Sequence, residues 1–223
     1  MKRLFTNLVL AVLVLSMFSC SKSENTDSDG LKRYDVKSGI IHYEITISGN
    51  NGAGIIQGEG VQDLYFKNWG ALELNNEEKN ETITISIPGV PKKVINNSYH
   101  NTEKIDNENL YSVDYENTVI YYRKDPLAEF MRTNKLSALE AGRKMMLSMG
   151  GEQLENEKYK GYDCEVWLTM GVKQWIYKGV CLKTVSTIGN MVINVFATDI
   201  KFNIDVDSKY FNLPNYKIQS SQE

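Results

Sequence analysis

The sequence predicts a mainly β domain of the α+β class, in which a large curved antiparallel sheet, or incomplete β-barrel, carries two helices packed as a lid. Three observations support this prediction. Apolar and polar residues alternate with period two in many segments, as they do in half-buried strands. Turn-forming Asn, Gly and Pro residues separate those segments. Helical periodicity occurs in one stretch only, between Asp125 and Gly151.

About seven strands are predicted before the helices and four after them. The clearest covers residues 41–48, where four apolar side chains alternate with four polar ones. Turns are expected at 49–52, at Asn75-Asn76 and at Pro88-Gly89. A sheet of this size must curl or close to bury its apolar face, so we expect the helices to lie across that face. The other predicted strands cover 55–66, 71–74, 82–87, 93–99, 110–114, 118–122, 162–169, 174–187, 191–204 and a short piece near 209–213.

Capping signals define the two predicted helices. Asp125 can cap the first helix with Pro126 at its first position, so a short helix is expected over 127–133. Ser137 and Glu140 form a capping box for the second helix, which Gly150-Gly151 ends. One face of the second helix carries Leu139, Gly142, Met146 and Met149.

The N-terminus has the layout of a bacterial lipoprotein signal. A basic start is followed by an apolar run over 4–18, too short for a comfortable membrane span, and then by Ser19 and Cys20. We therefore expect a signal peptide over 1–19 and lipidation of Cys20 by acyl chains such as palmitate. Residues 20–30 would then form the lipidated cysteine and a flexible tether, and 31–223 a single domain.

This layout predicts a lipid-anchored protein of the cell envelope. The membrane is the expected partner, and the outer membrane, facing the periplasm or the surface, is the expected location. A plain signal peptide with an incidental cysteine and an uncleaved anchor are the alternatives.

Composition and motifs argue against several functions. Without Lys2 and Arg3 the mature chain has 23 basic and 28 acidic residues, a formal charge of −5, and no basic block, so no nucleic-acid partner is expected. His42 and His100 are far apart in sequence and have no nucleophile motif nearby. We expect no catalysis, no cofactor and no metal. The pairs Glu77-Glu78 and Asp205/Asp207 are interpreted as solvated turn residues.

Two cysteines, Cys164 and Cys181, remain once Cys20 is lipidated. They lie on either side of a predicted hairpin whose tip is near 170–174. A two-residue turn at 172–173, or a four-residue loop over 171–174, would place them opposite each other and allow a disulfide. A turn at 171–172, or a three-residue loop, would prevent it. A disulfide and two buried thiols therefore both remain open.

Four segments of the chain resemble the periplasmic lipoprotein-carrier superfamily, the LolA/LolB-like fold, in its branch of uncharacterised envelope lipoproteins. They are 34–44, 175–183, 197–200 and 210–214, the last ending in an aromatic-X-Leu-Pro turn. The resemblance implies an incomplete barrel with a helical lid over a hydrophobic cavity, which in the carriers accommodates acyl chains of lipoproteins. In the carriers an arginine ties the lid to the barrel. Because they lie on the predicted helices, the candidates for it are Arg132 and Arg143.

A Met-rich lid over an aromatic sheet would suit a flexible lipid, although the same side chains could simply fill the core between helix and sheet. The expected function is a non-catalytic envelope lipoprotein that binds an apolar ligand, a lipid or an acylated protein, in a half-barrel cavity. The alternative is a structural or protein-interaction lipoprotein with a filled core and no small ligand. The candidate cavity-lining residues are Leu139, Met145, Met146, Met149, Phe196 and Phe202.

Overall fold

Twelve β-strands form one sheet in the computed structural model, which describes residues 31–50, 54–86 and 89–221. The predicted signal peptide, Cys20 and the tether lie outside the described residues. Within these ranges, no helix is long and apolar enough to cross a membrane.

Six strands precede the helix pair and six follow it. The first six are β1 (Gly39–Asn50), β2 (Gly54–Lys67), β3 (Leu72–Ile85), β4 (Lys93–Asp106), β5 (Asn109–Asp114) and β6 (Val119–Lys124). The helices are α1 (Pro126–Asn134) and α2 (Ala138–Ser148). The last six strands are β7 (Glu152–Tyr159), β8 (Tyr162–Thr169), β9 (Val172–Tyr177), β10 (Val180–Ile188), β11 (Met191–Phe202) and β12 (Lys217–Ser220).

The order of the strands across the sheet is β12-β6-β5-β4-β3-β2-β1-β11-β10-β9-β8-β7. Neighbouring strands are antiparallel, except that β12 pairs in parallel with β6. The chain builds one half of the sheet with β1 to β6, adds the helices, and then returns to place β11 beside β1. The edge strands β7 and β12 are not neighbours, so the curved sheet stays open. This confirms the predicted fold class, a large curved antiparallel sheet that does not close into a barrel and carries two helices.

Both helices begin at the predicted caps. The carboxylate of Asp125 accepts hydrogen bonds from the backbone N–H groups of Leu127 and Ala128. In the capping box, the hydroxyl of Ser137 accepts from the Glu140 N–H and the Glu140 carboxylate accepts from the Ser137 N–H. Each cap satisfies donors that the first helical turn leaves unpaired, which is why these local signals are reliable.

The predicted turn at Asn75-Asn76 is wrong, because β3 continues through both residues. The side chains of both residues form hydrogen bonds with neighbouring strands, so their polar groups are satisfied within the sheet. Asn75 Oδ1 accepts a hydrogen bond of 2.9 Å from Gln62 of β2, and Asn76 Oδ1 accepts one of 2.6 Å from Thr102 of β4. These contacts depend on strand pairing and are invisible to a local pattern.

The prediction of one strand over 174–187 is also wrong, because this segment forms two strands, β9 and β10. The chain turns at Lys178-Gly179, where both residues have positive φ, 47° and 88°. Two such residues make the type I′ turn whose twist matches a hairpin. The same geometry recurs at Lys160-Gly161 and Met170-Gly171. The piece predicted as a strand near 209–213 is also wrong, because it begins as a 3₁₀ turn over Ser208–Phe211.

The extra hairpin corrects the expected relation between the two cysteines. The predicted hairpin exists, with its tip at Met170-Gly171, but its second strand, β9, ends at Tyr177. Cys164 lies on β8 and Cys181 on β10, with β9 between them, so the two cysteines do not face each other across that hairpin. Both are buried free thiols in the described structure, and they pack in different apolar clusters. Burial raises the pKa of the Cys164 thiol to about 12 and also raises that of Cys181. Neither thiol is therefore activated as a nucleophile.

One face of the sheet is called here the pocket face. A row of directly opposed residues on this face contains one residue from each of seven neighbouring strands, from β8 to β3. The row runs through Trp167, Gln174, Thr184, Val195, Ile45, Gly60 and Lys79. Opposed residues of paired strands project to the same side of a sheet. The two helices pack on the β8–β10 end of this face, called here the covered end. No helix residue lines the cavity at the β1–β4 end, called here the open end.

The covered end of the pocket face is a filled apolar core. Side chains of α1 and α2 interlock there with side chains of three strands, and little polar surface is included. The buried members are Leu127, Met131, Ala138, Ala141 and Met146 from the helices, and Trp167, Val172, Ile176 and Cys181 from the sheet.

Candidate functional site

A cavity of about 60 Å³ lies at the open end of the pocket face. Strands β1 to β5, β10 and β11 line it, together with Tyr34 from the segment that precedes β1. No residue of α1 or α2 is among its lining residues. The cavity therefore lies beside the helical lid, whereas the sequence predicts one beneath it.

An aliphatic wall forms one side of this cavity. It consists of Ile45 and Ile47 of β1 and, directly opposite them, Val195 and Ile193 of β11. Period-two alternation puts the two residues of each strand on the same face. The apolar strip extends beyond the cavity, because Ile47 and Ile193 also form a cluster with other aliphatic side chains, namely Ile56, Ile83 and Met191.

A polar wall forms the other side and comes mainly from β3. Alternate residues of this strand, Glu73, Asn75, Glu77 and Lys79, line the cavity, and each is less than 9% exposed. Glu103 of β4 lies directly opposite Asn75 and joins them. The Lys79 ammonium donates a hydrogen bond of 2.8 Å to Glu77 Oε1, which makes a buried ion pair.

Two glycines of β2 bring the walls together. Gly60 is opposite Ile45 on one side and Lys79 on the other, and Gly58 is opposite Ile47. A Cβ atom built on Gly60 would lie 2.4 Å from the carbonyl oxygen of Glu78 and 2.7 Å from the Lys79 Cβ. Only glycine permits this approach, so these positions let the sheet curl tightly between β1 and β3.

Burial from water raises the pKa values of two carboxyl groups in the polar wall. Burial raises the pKa of Glu73 from 4.5 to about 7, although a hydrogen bond from the Tyr34 hydroxyl and the nearby Arg33 guanidinium act in the opposite direction. Burial also raises the pKa of Glu103. Desolvation disfavours a carboxylate, and opposite charge or hydrogen bonding only partly offsets the cost.

A second buried ion pair connects this end of the sheet to the helices. Arg33 and Asp125 are both almost fully buried, and their side chains form a salt bridge. Asp125 is also the N-cap of α1, so the pair joins the segment before β1 to the first helix. Sequence analysis missed Arg33 because it lies far from the helices along the chain.

The two arginines named as candidates for tying the lid to the barrel have different roles. Arg143 of α2 donates a hydrogen bond of 2.8 Å to Glu165 of β8, so it does join a helix to the sheet. Arg132 of α1 lies 3.4 Å from Glu108, which follows β4, and both side chains are exposed.

The six predicted cavity-lining residues do not line this cavity. Met146 is buried in the helix–sheet core and Met145 packs against it, while Leu139 is half-buried and Met149 is exposed. Phe202 packs with Tyr162 and Tyr177 in the other large cluster, and Phe196 is opposite Glu44 and Lys183. The helix α2 buries Ala138, Ala141, Gly142 and Met146, so its apolar face is rotated from the predicted one.

The polar wall was missed because its sequence has no recognisable period. Residues 72–79 read Leu-Glu-Leu-Asn-Asn-Glu-Glu-Lys, in which the cavity-facing positions are the polar ones. Glu77, interpreted above as solvated, is 5% exposed, whereas its neighbour Glu78 is exposed as expected. A clue was available in the two glycines opposite this strand, since Gly58 and Gly60 mark a close approach of backbones.

The other residues considered for chemistry have structural partners. His42 pairs with Asp63 across β1 and β2, and His100 stacks on Tyr115 with ring centres 3.8 Å apart. Asp207 caps the 3₁₀ turn by accepting a hydrogen bond from the Lys209 N–H. In the part of the chain that the structure describes, no group of three or more His, Cys, Asp or Glu residues could hold a metal ion.

Comparisons with known proteins give similarity to solved structures only. No protein-family model matches the sequence, and no curated protein matches it. An uncharacterized conserved protein from Thermus thermophilus is similar at 9% identity, over 81% of this chain and 90% of that chain, with a TM-score of 0.40. A Vibrio parahaemolyticus domain named for outer membrane lipoprotein sorting has 10% identity, coverage of 79% and 89%, and a TM-score of 0.30. LprF from Mycobacterium bovis has 9% identity, coverage of 79% and 90%, and a TM-score of 0.30. Such values assign no activity to this chain.

Proposed function

We propose that this chain is a non-catalytic lipoprotein of the cell envelope, anchored by acylation of Cys20, that binds an amphipathic ligand at the open end of the pocket face. The ligand would be a lipid or an acylated protein, with its chain on the aliphatic wall and its head at the polar wall. The observation that carries the proposal is the close approach of Ile45 and Lys79 across Gly60, in a cavity that Ile193 and Glu77 also line. Ligand sites typically combine an apolar lining with a few placed polar groups.

The size of the cavity restricts how such a ligand is held. An enclosed volume of about 60 Å³ has room for a few water molecules or a small head group. An acyl chain would therefore extend out of the cavity along the apolar strip formed with Ile56, Ile83 and Met191. Ile47, Ile56 and Ile193 are already largely buried, so the ligand's own chain would supply most of the apolar area removed from water, at about 25 cal/mol per Å².

A direct test is titration of the mature protein with a twelve-carbon amphiphile, combined with native mass spectrometry of what copurifies. Wild-type protein should bind the amphiphile. Ile193→Asn places a polar group on the aliphatic wall and should weaken binding about tenfold, which corresponds to about 1.4 kcal/mol. Val61→Asn is the matched control, because Val61 lies on β2, is 54% exposed and does not line the cavity.

One specific observation favours the alternative of a structural or protein-interaction lipoprotein. Trp167, Val172 and Ile176 pack against the helices in a buried apolar cluster, and no helix residue lines the cavity described above. This alternative expects folded wild-type protein that binds no amphiphile and copurifies with none. That result would refute the ligand-binding proposal.

The anchor is tested separately. Cys20→Ser should release the protein from membranes into the soluble fraction, since the acyl chains supply the attachment. Membrane retention of this variant at the wild-type level would show that acylation is not the anchor.

A further inference from the structure

The side chains that line the cavity include more carboxyl groups than available ammonium groups. Glu73, Glu77 and Glu103 contribute three carboxyls, and the ammonium of Lys79 is engaged with Glu77. Lys183 also lines the cavity, but its ammonium lies 4.3 Å from the ring centre of Trp175, a residue outside the lining. The lining therefore has an excess of acidic groups in a partly desolvated space.

The register of β3 and β4 makes the three acidic residues neighbours on one wall of the cavity. Glu103 lies directly opposite Asn75, so Glu73 and Glu77 are its two diagonal neighbours. Diagonal neighbours in an antiparallel pair are about 7–8 Å apart at the backbone, within reach of long side chains. A cationic group beside Glu103 would therefore have Glu73 and Glu77 as neighbouring acidic side chains on the same wall.

The charged groups outside the lining do not remove this excess. Arg33 is committed to Asp125 in a buried salt bridge. Arg123 of β6 acts on Glu103 electrostatically, yet its side chain is exposed and the pKa of Glu103 remains raised by burial. The carboxyls of Glu73 and Glu103 thus remain without a cation sufficient to offset their desolvation.

We propose that the ligand of this cavity carries an ammonium group, bound between Glu73 and Glu103, with its apolar chain on the aliphatic wall. This inference rests on the proposed function and names the head-group chemistry of the same site. An ammonium donates hydrogen bonds to carboxylates without requiring a fixed coordination geometry. That suits a site where no metal-binding group of side chains exists among the described residues.

The experiment compares three probes that share a twelve-carbon chain and differ only in the head: dodecylammonium, dodecanol and laurate. Binding to the mature protein is measured at one pH and ionic strength, below the concentration at which each probe forms micelles. Wild-type protein should prefer dodecylammonium to dodecanol by about tenfold, because a desolvated charge pair is worth about 1.4 kcal/mol or more. Laurate should bind most weakly.

Two isosteric variants locate the head-group site. Glu103→Gln and, independently, Glu73→Gln should each reduce the preference for dodecylammonium severalfold while leaving dodecanol binding unchanged. Dodecanol thereby reports that the variant is folded and its aliphatic wall intact. Glu78→Gln is the matched control, because Glu78 lies next to Glu77 on β3 with an exposed side chain and does not line the cavity.

The outcomes separate this inference from the proposed function. Equal binding of all three probes to wild-type protein, or a preference that survives both glutamine variants, would overturn the ammonium site and leave the amphiphile pocket standing. Failure of folded wild-type protein to bind any of the three would overturn the proposed function itself.

Discussion

The two ends of the pocket face belong to the same sheet but differ in their side chains and in how the space above them is filled. The residue row that begins at Trp167, under the helices, passes through Val195 and Ile45 and ends at Lys79, in the open cavity. At the covered end, apolar side chains meet the helices and fill the available space. At the open end, buried charged groups face an aliphatic wall across an unfilled cavity.

This difference separates stabilisation from binding. Apolar burial at the covered end stabilises the fold, since each large side chain removed from water contributes about 1.5–3 kcal/mol. A buried ion pair such as Glu77–Lys79 is weak evidence for stability, because desolvation offsets its Coulomb attraction. On the function proposed above, the polar groups at the open end would be retained despite that cost because they bind a ligand. The comparison predicts that substitutions at the covered end mainly lower stability, whereas substitutions at the open end mainly weaken ligand binding.

The largest effect is expected at the covered end. Trp167→Ala should lower the free energy of unfolding by about 3–5 kcal/mol, because it leaves a large cavity under the helices. Urea denaturation measures this, and the variant that remains folded should still bind the amphiphile. Leu168→Ala, at the next and exposed position of β8, is the control and should change stability by about 0.5 kcal/mol or less. Equal losses in the two variants would contradict the assignment of the covered end to stability.

The second effect comes from the buried carboxyl of Glu73 and depends on pH. Its pKa is raised from 4.5 to about 7 in the folded protein, so the unfolded chain releases this proton at lower pH. Below about pH 4.5 the group is protonated in both states and costs nothing. As pH rises from there through 7, ionisation favours the unfolded state, and the accumulated loss reaches about 3 kcal/mol.

Glu73→Gln tests this directly, because the amide oxygen can still accept the hydrogen bond from Tyr34. The variant should match wild-type stability near pH 4.5 and exceed it by about 3 kcal/mol at pH 8, as measured by denaturant unfolding at each pH. Glu78→Gln, whose side chain is exposed, should show no such divergence. A wild-type protein that gains stability relative to Glu73→Gln on raising the pH would reverse the sign and refute the desolvation argument.

The parts of the fold that were predictable from sequence are those encoded locally. The caps at Asp125 and Ser137 determine where the helices begin, since each satisfies donors within three residues. The alternation of 41–48 likewise identifies a strand buried on one side. The turn at Lys178-Gly179 escaped because Lys is an uncommon first residue of a type I′ turn, where Asn and Asp are preferred.

The candidate site was less predictable, because its polar wall exists only after long-range pairing. Glu77 is a charged residue, which a local pattern assigns to the surface. It is buried because β2 and β4 flank β3 in a particular register. Glu103 joins it from a different strand, opposite Asn75. No periodicity within 72–79 reveals which side of the strand faces a cavity. The glycines of β2 were the one local sign of the close approach, and they fall inside the predicted strand over 55–66.

The smallest expected effect on stability comes from substituting one of those glycines, and the same substitution should also weaken binding. Gly60→Ala adds a methyl group that would lie 2.4 Å from the Glu78 carbonyl oxygen, so β3 must move away from β2. We expect a loss of about 1–3 kcal/mol in stability, typical of overpacking, together with weaker amphiphile binding as the two walls separate. Val61→Ala, at the adjacent exposed position, should leave both quantities near wild type. If Gly60→Ala instead stabilised the protein by about 0.4–1 kcal/mol, as alanine does where the backbone tolerates it, the close approach of β2 and β3 would not exist in solution. The aliphatic and polar walls would then lie too far apart to hold one ligand between them.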